Sequence, residues 1–215
     1  MLLFIQGYFG GKKMFKLGQS SLEVCQAIVG HNPTIQCVML ILHKVGINWR
    51  QSNLTTEQKA QDFINGFYHI EPSGYQKYLR KDFLDLKLDD LKSREPNEVW
   101  SISSRVWCDD NRTRQIVMMN FHPKGIGLDE IREALKIICG NVRGVILNSG
   151  RYQHYYGNLL LNEDEWVGWM AEFLGPCILV SPRYIGHRLH YGYSTLRLTR
   201  DTTYKPKIPE VIEIL

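Results

Sequence analysis

Carboxylates are missing over two long stretches of this chain. No Asp or Glu stands between Glu133 and Glu163, and none between Glu172 and Asp201. Lysine is missing from 143–200 as well, where every Lys-or-Arg position is Arg. Arginine's planar fork suits bidentate phosphate contacts and stacking on bases. Cysteine pairs are missing too. Cys25, Cys37, Cys108, Cys139 and Cys177 are odd in number and never spaced C-x-x-C. That argues against a disulfide framework and a zinc site, and fits reduced core thiols. No apolar run reaches membrane-spanning length; Val38–Leu42 is far too short. Met1–Ile5 has no basic residue before it and is too short for a signal core. The expected setting is cytoplasmic, with no membrane partner. Internal repeats and low-complexity tracts are also missing.

What remains is an ordinary globular composition with net charge +4, which permits an anionic partner without demanding one. Residues 1–19 read as a strand with loops or as an arm. Leu22, Val24, Cys25, Ile28 and Val29 predict a helix capped by Ser20 or Ser21 and ending near Gly30. Gln36–Leu42 fits a helix or a strand. Thr55 or Thr56 starts a helix to about Phe67. Apolar positions over Tyr75–Leu91 predict a helix broken near Leu84–Leu88, its charge run a solvated face.

Past a linker at 94–97 the pattern changes. Val99–Cys108 alternates as a strand, Asp109–Asn111 turns, and Arg114–Asn120 is a second strand. Ile116–Met119 is apolar on both faces, which places that strand centrally. A helix over Leu128–Cys139, a strand at 144–148 and a strand at His154–Leu161 follow. A helix capped by Asn162 runs to Leu174. Cys177–Val180 and Tyr184–Thr199 read as strands, and the tail after Asp201 as irregular. The prediction is an α+β fold: a mostly antiparallel sheet with helices on one side. A mainly helical part over 1–95 would precede a core over 96–215.

Three groups can carry chemistry. Asn120 and His122 end the central strand and alternate onto one face. Ser149, Arg151 and His154 surround a Gly-containing turn, where hydroxyl, guanidinium, imidazole and backbone N–H groups can grip phosphate; a plain hairpin with a polar tip fits as well. Arg183, His187, Arg188 and Arg197 are interleaved with Tyr184, Tyr191 and Tyr193, as on single-strand-binding surfaces; a basic edge hairpin is the bland alternative.

The order of these groups over 98–200 resembles the archaeo-eukaryotic primase superfamily, the primase-polymerases. The resemblance implies an RNA-recognition-motif-like sheet with three motifs. The first is an acid-x-acid pair holding two metal ions, here Asn120-Phe-His122. The second is a Ser-x-His-type nucleotide turn, here Ser149-Gly-Arg-Tyr-Gln-His154. The third is a later acid, here Ser181. Asn, His and Ser bring no charge to a Mg²⁺ or Mn²⁺ site. The resemblance therefore implies a domain that grips nucleic acid or nucleotide phosphates through Ser149, Arg151 and His154. Asn120, His122 and Ser181 are degenerate metal positions, and Arg183, His187, Arg188 and Arg197 line a nucleic-acid groove. Mg or Mn is implied only if activity persists, with His122 as a ligand. Two alternatives stand beside this: an active nucleotidyltransferase with an atypical His-containing metal site, and an interaction module whose residues 1–95 dock a protein partner.

Overall fold

The computed structural model describes residues 14–44, 55–58, 60, 72–122, 125–140, 143–175, 178–201 and 205–215. The elements run α1 (Ser21–His31), β1 (Ile35–Lys44), β2 (Gly74–Leu79), α2 (Arg80–Asp85), a 3-10 turn (Leu88–Asp90), β3 (Glu98–Cys108) and β4 (Thr113–Phe121). They continue through α3 (Leu128–Cys139), β5 (Gly144–Asn148), β6 (Gln153–Leu161), α4 (Glu163–Glu172), α5 (Pro182–Tyr191), β7 (Thr195–Arg197) and β8 (Glu210–Ile214).

The strands form one sheet in the order β2-β1-β3-β4-β6-β5-β8, and every pairing is antiparallel. β4 lies mid-sheet, and its alternation divides the core. Ile116 and Met118 join Leu40, Ile102, Leu147 and Tyr156 under α1. Val117, Met119 and Phe121 join Ile146 and Tyr155 under α3, α4 and α5. Helices therefore cover both faces, not one. A strand apolar on both sides needs a lid on each, and α1 supplies the second.

β3 has a divided edge. It pairs with β4 over Arg105–Trp107 and with β7 over Ser101–Ser103. Where β4 leaves, buried polar groups take over. Ser104 Oγ donates to Gln115 Oε1 at 2.6 Å and accepts from Ser194 N at 2.7 Å. Satisfied in this way, buried polar side chains cost little.

Capping follows the sequence. Ser20 caps α1 with Glu23 reaching back, and Asn162 caps α4 with Glu165 doing the same; each cap is worth about 1 kcal/mol. Thr55 and Gln58 exchange the same two bonds, at 3.2 and 2.9 Å. The rest of the helix expected to Phe67, and most of residues 1–19, lie outside the described residues.

Three elements depart from expectation. Residues 74–79 are strand β2, not helix; Tyr75 and Leu79 are 58 % and 65 % exposed, so their four-residue spacing marks no buried stripe. Residues 182–191 are helix α5, not strand. Pro182 at its first turn fixes a helical φ, and Gly192 ends it at φ +71°. The tail forms β8 on β5, with Pro206 and Pro209 ahead of the ladder. Residues 36–42 take the strand option. The part before residue 96 thus gives two strands to the sheet as well as helix. Among the described residues no helix is long and apolar enough to cross a membrane.

Candidate functional site

Under α1 the sheet face is apolar until its end, where it turns polar. Beyond Met118 stands Asn120, beyond Tyr156 stands His154, and beyond Leu147 stands Ser149. The register places Asn120 directly opposite His154, and His154 opposite Leu147. Directly opposed residues share a face, so the first and second groups meet across β4 and β6.

The β5–β6 turn closes between Asn148 and Gln153. Ser149 is buried, and its Oγ donates to Tyr152 O at 2.8 Å. Gly150 sits at φ +101°, a conformation that favours glycine, and its N–H donates to Asn148 Oδ1 at 2.8 Å. The Ser149 hydroxyl proton is thus spent on shaping the turn. Arg151 is exposed, and its charge is felt at Lys205.

His154 is 5 % exposed, and among the described residues its Nδ1 has no hydrogen-bond partner. Burial, then the charges of Arg197 and Lys205, hold its ring well below the usual imidazole range. Arg197, 7 % exposed, donates to three backbone carbonyls: Ser149 at 2.7 Å, and Thr199 and Lys207 at 2.5 Å. Burial pushes it down to about 10, against the pull of Asp201 and Tyr156. Lys205 Nζ lies 4.7 Å from the centre of the Tyr152 ring, which also stacks on His122 at 4.2 Å. Burial and repulsion from Arg197 and Arg151 lower Lys205, with Asp201 opposing.

On the other side, Asn120 Nδ2 lies 3.3 Å from His122 Nε2, and Asn120 Oδ1 is buried with no hydrogen-bond partner among the described residues. His122 N donates to Leu179 O at 2.8 Å. That bond draws the chain leading to Ser181 alongside the end of β4. Ser181 is the N-cap of α5, and its side chain makes no capping bond. So the first two motif positions meet at one end of the sheet, and the third follows two residues after a chain bonded to the end of β4.

The arginine-rich run divides. Arg183 and His187 are half-buried on α5, 3.4 Å apart at Nε and Nε2. Burial, then Arg183, lowers His187. Arg188 is 6 % exposed; it bonds Thr195 Oγ1 and lies over the Tyr184 ring. Arg188 and Arg197 therefore stand inside the fold rather than along an open groove. His43 on β1 joins them. Burial, then Arg188 and Arg197, lower it to about 4.

A family model described as archaeo-eukaryotic primase 1D-like matches residues 81–210, more than half of the chain. The chain belongs to the archaeo-eukaryotic primase-like family. No curated protein and no solved structure matches it significantly. In this primase-like domain Asn120, His122 and Ser181 bring an amide, an imidazole and a hydroxyl, and none of them is a carboxylate. Among the described residues no group of three or more His, Cys, Asp or Glu side chains could hold a metal ion. Mg²⁺ needs anionic oxygens, so these residues do not fit the two ions that the family resemblance implies.

Lys205, His43 and the stacking role of Tyr152 are absent from the sequence reading. Lys205 lay in a stretch read as irregular tail, and His43 in a part read as separate from the core. Tyr152 stood inside the second motif; an aromatic between two cation-bearing positions was the available signal.

Proposed function

We propose that this primase-like domain binds nucleic acid or nucleotide phosphates at the cradle around His154, Arg197 and Lys205, with nucleotidyl transfer lost or much reduced. One observation carries the reading. A buried imidazole with an orphaned Nδ1 faces Asn120 across β4 and β6, beside two cations, at a strand end that carries no carboxylate pair. A buried polar atom without a partner costs free energy, and a phosphate oxygen or ligand hydroxyl would satisfy it. Arg151, Lys205 and the half-buried Arg183 supply attraction around the mouth, and His187 beside Arg183 adds a ring nitrogen. Arg188 and Arg197 act from within, Arg197 by holding the turn through Ser149.

Fluorescence anisotropy with a labelled single-stranded oligonucleotide tests this. Binding is expected to weaken steeply as salt rises, because neutralised phosphates release counterions. Lys205→Gln and His154→Gln are each expected to weaken it. No binding at low salt, or a Kd indifferent to salt, would overturn the reading. Template-directed incorporation with Mg²⁺ or Mn²⁺, abolished by His122→Ala, would restore the enzyme in its place.

A further inference from the structure

We infer that the cradle takes its phosphate ligand as the metal-free anion, so that Mg²⁺ weakens binding instead of assisting it. This rests on the phosphate reading above. The opposite would hold for a site that grips nucleotide through protein-bound metal, where the divalent ion bridges carboxylates to phosphates.

Three features support the inference. The positions that would face a metal, Asn120, His122 and Ser181, offer an amide, an imidazole and a hydroxyl, and no anionic oxygen. The charge beside them is already positive: Arg197 and Lys205 lie close enough to repel one another, and Arg151 adds to it. A divalent cation there would meet like charge in a poorly hydrated setting, where repulsion is least screened. The carboxylate of the cluster, Asp201, is buried, and its charge acts on Arg197 and Lys205, offsetting part of theirs. The cations that a phosphate needs are thus provided by the chain itself. A phosphate that arrives carrying Mg²⁺ has given up part of the charge that this cradle recognises.

The test is calorimetric titration of the full chain with ATP, once in EDTA and once in excess Mg²⁺, at ionic strength matched with NaCl. Binding in EDTA, roughly three- to tenfold weaker in Mg²⁺, is the expected result. Lys205→Gln, shown folded by circular dichroism, is expected to weaken binding in EDTA and shrink the Mg²⁺ effect. Binding that tightens in Mg²⁺, or appears only there, overturns the inference while leaving the cradle as a phosphate site. Absence of ATP binding in both buffers also overturns it. Only a failure with the oligonucleotide as well would take the proposed function down too.

Discussion

One wall of the proposed cradle consists of Asn120, His122 and Ser181, half-buried and without a carboxylate. The facing wall consists of His154 and Arg197, 5 % and 7 % exposed, with Lys205 beside them. In the first wall the side chains hang on a strand end and a helix cap, so exchanging them disturbs little else. In the second, Arg197 fastens the turn at Ser149 to the chain at Thr199 and Lys207. Losing it would leave three carbonyls unpaired. The contrast separates a side chain that holds the backbone together from side chains that do not. A charge that also holds the backbone together is removed only at a cost in stability, whereas a charge serving a ligand alone carries no such cost.

The largest expected effect breaks the tied wall. Arg197→Met should destabilise the fold by about 3–5 kcal/mol, since it strips a buried, hydrogen-bonded cation from its partners. Urea denaturation measures this. Arg197→Lys keeps the charge without the fork and should recover only part. The same assay should find Asn120→Ala and Ser181→Ala within about 1 kcal/mol of the parent.

Next come the walls' separate shares of binding. Lys205→Gln should weaken oligonucleotide affinity about tenfold, the loss of one charge-assisted contact. Ser181→Ala should stay within about twofold. Placing acids on the first wall, as Asn120→Asp with His122→Asp, should weaken affinity in EDTA and let Mg²⁺ restore it. Equal losses from Lys205→Gln and Ser181→Ala would erase the contrast.

A pH effect on stability comes from two histidines, His154 and the half-buried His43. His154 and His43 are held neutral in the folded chain, His43 down to about 4. In the unfolded chain both rings take up protons near their ordinary value of about 6.5. Below that pH the unfolded state binds more protons, so stability falls as pH drops from about 6.5 towards 4, by up to about 1 kcal/mol per pH unit for each ring. Above 6.5 these rings contribute no slope. Thermal melts across this range should show the decline, and His43→Gln should flatten part of it. A modest effect belongs to Ser149→Ala, which removes one hydroxyl bond within the turn. It should cost about 0.5–1.5 kcal/mol in urea denaturation, with oligonucleotide affinity nearly unchanged.

Much of the core was legible because its signals are local. The two-sided apolar run Ile116–Met119 placed β4 mid-sheet, Gly140 stopped α3, and Asn162 with Glu165 started α4. The pairing of Asn120 with His154 was legible through motif order and alternation. β2 was misread because an edge strand buries little, so Tyr75, Leu79 and Phe83 imitate a helical stripe. α5 was misread on its aromatic and Ile content, although Pro182 and Gly192 mark helix ends. Arg197 was expected to face nucleic acid. Nothing local distinguishes an arginine that reaches outward from one that turns in to three carbonyls, since its partners sit 48, 2 and 10 residues away. Lys205 and His43 were missed for the same reason: the sheet, not the sequence interval, brings them to the site.

The ladder between β1 and β3, running from Ile35–Cys108 to Lys44–Glu98, bears on how the chain can be shortened. A fragment cut to the family-matched span would begin after β1 and β2 and leave β3 with one flank bare along its length. Such an unpaired flank invites a second fragment to dock on it. Trimming this chain to its recognisable portion should therefore yield aggregates, and expression of the longer chain is the safer route to a soluble sample.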